Sequence, residues 1–215
     1  MHLAARDGVH FCFLAERAIF LDLDRDRYFA ASPDSSKALR RAIDGTCFIG
    51  SDEHDILPLI EGDLLTLSED PQRKLTPNTS SPSPDDWCDL PRPRLCSSAN
   101  ALLRQALVYR ELRRKGLSAA VRARSKRTSL RKCRPPAPEI LSGFNLTNLL
   151  FSADQQCKIK SLALHDALTR AGHPARLVLG VRDYPFLAHI WIELDGKVAG
   201  DFADHVATFQ PILVI

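Results

Sequence analysis

The sequence predicts an α+β protein in two unequal domains joined by a proline-rich linker. Three observations predict it. Short strand-like runs with one clear helix start fill the first part of the chain, six prolines break up residues 70–97, and helical stripes followed by alternating strand patterns fill the remainder. At 215 residues, 45% hydrophobic and 26% charged, the chain can support one sizeable core or two small ones, and the proline-rich break favours two.

In the first domain, residues 1–69, the runs Val9 to Leu14, Ala18 to Leu23 and Tyr28 to Ala31 read as strands, the last two separated by the turn-rich Asp24-Arg25-Asp26. Ser32 and Pro33 then start a helix as N-cap and first residue, Ala38, Leu39, Ala42 and Ile43 give its apolar stripe, and Gly45 ends it. A second helix is expected around Ile56 to Glu61, its start limited by Pro58, with Gly62 ending it before Leu64-Leu65-Thr66-Leu67. Pro71, Pro77, Pro82, Pro84, Pro91 and Pro93, with Ser and Thr between them, predict a linker over 70–97 that lacks regular structure. Trp87 is expected to anchor part of it to a surface.

The second domain, residues 98–215, begins with a helix near Ser98 whose stripe is Ala101, Leu102, Ala106, Leu107 and Leu112, interrupted at Gly116 before Leu117 to Val121. After a segment rich in Arg, Lys and Pro comes Ile140 to Leu150. A helix then carries Cys157 in its first turn, with Leu162, Ala163, Ala167 and Leu168 on one stripe and Gly172-His173-Pro174 as its stop. Arg176 to Val181 reads as a buried strand. The next strand alternates, with His189, Trp191 and Glu193 on one face and Ile190, Ile192 and Leu194 on the other.

Cys157, His189 and Asp201 are the candidate catalytic residues. A thiol at a helix N-terminus faces unpaired N–H groups and the positive end of the dipole, which stabilise the thiolate nucleophile. Whether Asp201 reaches His189 depends on the intervening hairpin. A two-residue turn at Asp195-Gly196 would pair Leu194 with Lys197 and set Asp201 opposite Ile190, on the wrong face. A three-residue loop, Leu194-Asp195-Gly196, would pair Glu193 with Lys197 and set Asp201 opposite His189, with Cβ atoms about 5 Å apart. The triad therefore predicts the three-residue loop. Taken singly, a buried cysteine is more often a small core residue and an aspartate near a hairpin more often turn chemistry; the agreement of helix start, strand face and register argues for the triad.

The net charge of +3 conceals an asymmetry: residues 104–134 hold twelve Lys or Arg against Glu111 alone, giving +11 there and −8 elsewhere. Such a block suits an acidic partner or a polyanion, or is a solvated basic face. Tyr109 is the one aromatic within it, which argues against base stacking and so against nucleic acid. The six cysteines, at 12, 47, 88, 96, 133 and 157, have no regular spacing, and Cys88 and Cys96 lie too far apart for a Cys-x-x-Cys half-site. They are read as reduced thiols, with no metal site expected. The N-terminus lacks an apolar h-region behind a basic start and no run approaches eighteen apolar residues, which predicts a cytoplasmic protein without a membrane partner.

The stretch from Cys157 through Ser161-Leu162-Ala163-Leu164, Ala171-Gly172-His173-Pro174-Ala175-Arg176-Leu177-Val178-Leu179-Gly180-Val181-Arg182, Pro185-Phe186, Ala188-His189-Ile190-Trp191-Ile192-Glu193-Leu194-Asp195-Gly196 to Asp201 resembles the lasso peptide biosynthesis B proteins. That resemblance implies a transglutaminase-like, papain-like cysteine protease domain that removes the leader from a ribosomally made precursor, with Cys157, His189 and Asp201 as its triad. It also implies a winged-helix-like leader-recognition module in residues 1–69, where Leu59-Ile60-Glu61-Gly62-Asp63-Leu64-Leu65 resembles the module's end. Leader binding would then fall on Tyr28, Phe29, Ala30 and Ala31, as a strand added to a sheet edge. The implied partners are the precursor peptide and an asparagine-synthetase-like lasso cyclase. No cofactor is implied, and the residues leave a nucleotide requirement open. Gln156 before the cysteine and Phe202 after Asp201 depart from the pattern and leave the oxyanion donors open, the Cys157 N–H being the first candidate. Two other functions fit the residues: an acyl transferase of transglutaminase or arylamine N-acetyltransferase type, and a non-enzymatic binding module using residues 104–134.

Overall fold

The computed structural model describes residues 2–44, 53–70, 75–126, 135–149 and 153–215. The helix end expected at Gly45, the cysteines at 47 and 133 and the basic stretch 127–134 lie outside the described residues. The chain divides into two compact units, Met1–Ser80 and Ser81–Ile215.

In the first unit, β1 (His2–Ala5) is followed by β2 (Val9–Leu14), β3 (Arg17–Asp22), β4 (Arg27–Ala30), α1 (Pro33–Ile43), α2 (Glu53–Glu61) and β5 (Leu65–Ser68). The middle three strands form an antiparallel sheet in the order β2-β3-β4. Its β3–β4 turn is held by Asp22, whose buried carboxylate takes Arg6 at 2.6 Å and the Arg25 backbone N–H at 3.1 Å. Ser32 caps α1 by accepting from the Ser35 N–H at 3.0 Å, with Pro33 at the first helical position. The Ser36 hydroxyl accepts from the Ala18 N–H, docking the helix on β3. Leu3, Val9, Phe11, Phe20, Leu39 and Ile56 fill the core between these elements.

Two features of this unit differ from expectation. Pro58 lies inside α2, five residues past its start at Glu53. Its missing N–H would serve the carbonyl of His54, an exposed residue whose oxygen water can satisfy. The strand β1, absent from the sequence reading, pairs with β5 in the register Leu3 to Leu67. His2-Leu3-Ala4-Ala5 has no alternation to announce it, and its partner is over sixty residues away.

In the second unit, β6 (Asp85–Asp86) precedes α3 (Leu95–Ser125), α4 (Ala137–Asn145), a 3-10 turn at Leu146–Leu149, α5 (Ala153–Ala171), β7 (Arg176–Arg182), β8 (Leu187–Leu194), β9 (Lys197–Ala199), α6 (Ala203–Val206) and β10 (Gln210–Val214). Gly116 breaks α3 with φ 75° and ψ 175°, where the sequence places the interruption. The helix α5 packs between α3 and β8, and every residue from Ser161 to Leu168 is buried, so it is a central helix rather than a one-sided one. The sheet runs β10-β7-β8-β9-β6, antiparallel except for the β9–β6 edge.

That edge corrects the expected linker over 70–97. Residues 81–94 belong to the second unit: Asp85 and Asp86 pair in parallel with Lys197 and Val198, the Ser83 N–H donates to the buried Glu193, and the Trp87 indole N–H donates to the Leu194 carbonyl at 3.3 Å. A proline-rich segment can occupy a sheet edge because only one side of it must pair. No helix among the described residues is long and apolar enough to cross a membrane.

Candidate active site

The central strand β8 carries His189, paired across from Gly180 of β7. A Cβ at Gly180 would stand 2.6 Å from the Trp191 ring, so the glycine gives Trp191 room to lie against β7. Trp191 is buried, stacks on His189 with ring centroids 6.1 Å apart, and donates its indole N–H to Glu193 at 3.1 Å. Glu193, itself buried, is held by Arg176 at 2.5 Å. Alternation along the strand thus sets His189, Trp191 and Glu193 on one face, and the last two fix the first.

The hairpin after β8 overturns the expected register. Leu194 pairs with Lys197, so the loop is the two-residue Asp195-Gly196, with φ of 51° and 72° at the two central positions. Continued straight, that register would set Asp201 on the wrong face. The ladder ends at Ala199, however, and Gly200 turns the chain with φ +76°. Asp201 is thereby swung back toward His189, and its Oδ2 lies 2.6 Å from His189 Nε2. Two further contacts hold the turn: Lys160 Nζ donates to the Gly200 carbonyl at 2.5 Å, and Asp86 Oδ2 accepts from the Ala203 N–H at 2.9 Å at the start of α6.

Cys157, half-buried and free, comes from α5. The helix starts at Ala153, four residues before it, so the thiol stands at the beginning of the second turn rather than in the first. In the i to i−4 pattern the Cys157 N–H then has an acceptor within the helix, which weakens it as an oxyanion donor. Cys157, Lys160, Ser161, His189 and Asp201 line one open cleft of about 540 Å³, with Trp87, Ile190 and Phe202 among its walls.

Charge in this cleft is strongly coupled. Burial alone would lower the pKa of His189, but hydrogen bonds to Asp201 and Cys157 and the charges of both outweigh it and raise the imidazole to about 9. Burial would raise Asp201, yet bonds from His189, the Phe202 N–H and His205 bring it down to about 2. Nε2 is taken by Asp201, which leaves Nδ1 as the ring nitrogen for the thiol. Lys160 has its pKa lowered by burial, partly offset by the charge of Asp201.

Sequence reasoning missed three residues here. His205 bonds the other oxygen of Asp201 through Nδ1 at 3.1 Å and packs edge-on against His189 with ring centroids 4.7 Å apart. Lys160 lies one helical turn after Cys157, a spacing that puts it on the same face and could have flagged it. Asp86 carried no signal, being embedded in the proline-rich segment. His189, Asp201 and His205 offer ligand atoms within 4.8 Å of one another, so a divalent metal could bind there, at the expense of the His189–Asp201 bond. Tyr28, Phe29 and Ala30 lie in β4, and Ala31 follows it with its N–H on the Ala18 carbonyl. Among the described residues no strand pairs with the outer edge of β4.

A family model described as the transglutaminase-like superfamily matches residues 98–214. No curated protein and no solved structure matches the chain.

Proposed function

The chain belongs to the transglutaminase-like superfamily, and from that premise we propose that it is a cysteine peptidase that cleaves the leader from a lasso peptide precursor. The observation that carries the reading is the His189 Nε2 to Asp201 Oδ2 bond of 2.6 Å, with Cys157 in the same cleft. The narrower substrate class rests on the resemblance between residues 157 and 201.

In this mechanism the proton given up by the Cys157 thiol resides on His189, an imidazolium across the neutral range that Asp201 stabilises. The thiolate sulfur attacks the carbonyl carbon at the leader–core junction, and the carbonyl electrons move to oxygen. As the tetrahedral intermediate collapses, the C–N bond breaks and the imidazolium gives its proton to the departing amine. A water molecule, deprotonated by His189, then attacks the thioester carbonyl, releasing the carboxylate and returning the proton to sulfur. The leader would pair with the open edge of β4 beside Tyr28, Phe29, Ala30 and Ala31, where main-chain hydrogen bonds supply affinity. Tethering the leader there raises the local concentration of the scissile bond. The asparagine-synthetase-like cyclase implied by the resemblance would take the released core.

Incubating the protein with a leader–core precursor and following products by mass spectrometry tests the reading. Cleavage is expected, and Cys157→Ala should abolish it while leaving the affinity for the leader unchanged. Retained cleavage by that variant refutes the nucleophile. Adding a primary amine separates hydrolysis from acyl transfer: an amine adduct in place of a free carboxylate would reassign the chain as a transferase.

A further inference from the structure

A second cleft of about 390 Å³ lies between α3 and α5, lined by Arg104, Arg110, Arg114, Lys115 and Arg170 together with Leu107, Val108, Glu111 and Asp166. The two acids offset the five cations only in part, although the charge of Asp166 also reaches Arg104. Both are turned to Arg124, a fully buried side chain whose Nη2 sits 3.0 Å from Glu111 and 2.6 Å from Asp166. Among the described residues, none of the five lining cations has a hydrogen-bond or ion-pair partner.

The arrangement gathers positive charge around the cleft, with Arg110, Arg114, Lys115 and Arg170 exposed and Arg104 half-buried. Arg104 is the extreme case, with its Nε buried and without a partner. Burial, and next the charge of Arg170, lower its pKa against the smaller opposing effect of Asp166, so part of the repulsion between two guanidinium groups that line the cleft is left for a bound anion to relieve. Unpartnered cations around a concave site are an anion receptor by construction.

Spacing selects the class of anion. Arg104 and Arg114 are ten residues apart on one helix, about 15 Å at 1.5 Å per residue. A single phosphate engages donors that converge within about 3 Å of its oxygens, so it could use only a fraction of these groups. An extended peptide advances about 3.3 Å per residue, so roughly five residues would span the row. The floor is apolar, with Val108 buried and Leu107 52% exposed, and Leu103 is 60% exposed one turn earlier on the same helix. Such a floor suits a peptide that alternates acidic and apolar side chains. Tyr109 alone could stack a base in the described part of this basic segment, which disfavours single-stranded nucleic acid.

We propose that the cleft between α3 and α5 is a docking site for an acidic, partly apolar peptide segment of a partner protein, held by Arg104, Arg110, Arg114, Lys115 and Arg170. The site is separate from the catalytic cleft. Asp166 is nine residues beyond Cys157 on α5, about 14 Å along the helix. Occupancy therefore need not block the thiol, and the proposal stands independently of which bond Cys157 cleaves.

The test is fluorescence anisotropy with the full chain and a labelled dodecapeptide made of three Glu-Leu-Glu-Ala repeats, at about 50 mM salt, where charge pairing is weakly screened. The expected result is binding at least about tenfold tighter than that of the same peptide with Gln for Glu, weakening as salt rises. Arg104→Gln with Arg170→Gln should cost at least about tenfold in affinity, with the rate of Cys157 alkylation by iodoacetamide unchanged. If that double variant fails to fold, Arg114→Gln with Lys115→Gln, both exposed, should show the same direction of change. Equal binding of the Glu and Gln peptides, or unaltered affinity in a folded variant, overturns the proposal. Displacement by tripolyphosphate at a lower concentration than by unlabelled peptide overturns it in favour of a compact phosphate site, and tighter binding of an oligothymidylate overturns it in favour of nucleic acid.

Discussion

In the proposed mechanism His189 and Asp201 set the proton chemistry, and each makes a prediction with a definite sign. With the imidazole raised to about 9, His189 holds its proton across the neutral range, and kcat/KM for peptide cleavage should fall as pH rises through about 9, when the acid that protonates the leaving amine is lost. Asp201→Asn removes the carboxylate that supports the imidazolium. Its alkaline limb should move down by at least about one pH unit and kcat should fall by about 100-fold, which steady-state kinetics over pH 5–10 would reveal. The same shifts contribute to stability. A group raised in the fold stabilises fully below its unfolded value, so the His189 contribution is intact below about 6.5 and lost as pH rises through about 9. For Asp201, lowered from 3.8 to about 2, the contribution is present above 3.8 and lost as pH falls through 2. Urea denaturation at pH 6.5 and 9.5 should therefore show a larger loss of stability for the native chain than for His189→Gln. Lys160 holds the turn through its bond to the Gly200 carbonyl. Lys160→Met should lower kcat by about tenfold with KM little changed, while Lys160→Arg, which keeps the charge and the donor, should recover part of it.

At the scale of elements, the hairpin and the turn after it do separate jobs. Asp195-Gly196 makes the tightest loop available and sets the β8–β9 register, and that register by itself points the chain away from His189. Gly200 reverses the outcome. A Cβ there would stand 2.9 Å from Leu164 Cδ2 at a φ that side chains rarely adopt, so Gly200→Ala strains the turn. The expected cost is about 1–2 kcal/mol in stability with a much larger loss of cleavage, because the distance between Asp201 and His189 changes with it. A melting curve and a rate measured on the same sample would separate the two, and a rate loss no larger than the stability loss predicts would contradict this role for Gly200. The start of α5 was legible from its apolar positions, but its first residue was not. Helix ends depend on capping contacts more than on periodicity, and Cys157 stands in the second turn of α5 and not in the first.

Across the whole molecule, the second unit is tied together by a buried charge cluster. Arg124 lies beyond the Gly116 break in α3 and reaches back to Glu111 on the first half of that helix and to Asp166 on α5, so one side chain joins three segments. Arg124→Ala would leave two carboxylates close together without their cation, and a loss of about 3–5 kcal/mol is expected in chemical denaturation. Strands β2 to β4, helix α1, the Gly116 break and the faces of β8 were readable because each is a local pattern of period, cap or breaker. The pairing of β1 with β5, the edge strand drawn from the proline-rich segment and the buried surroundings of Arg124 were not, since each depends on residues far apart in the chain. The residue order alone placed a thiol on a helix, an imidazole on an alternating strand and a carboxylate just past a hairpin. Whether the last two would meet was settled only in three dimensions. Strand register pointed one way, and a left-handed glycine, pinned by Lys160 from the cysteine helix, turned the chain the other way; such a contact has no period and leaves no local signal.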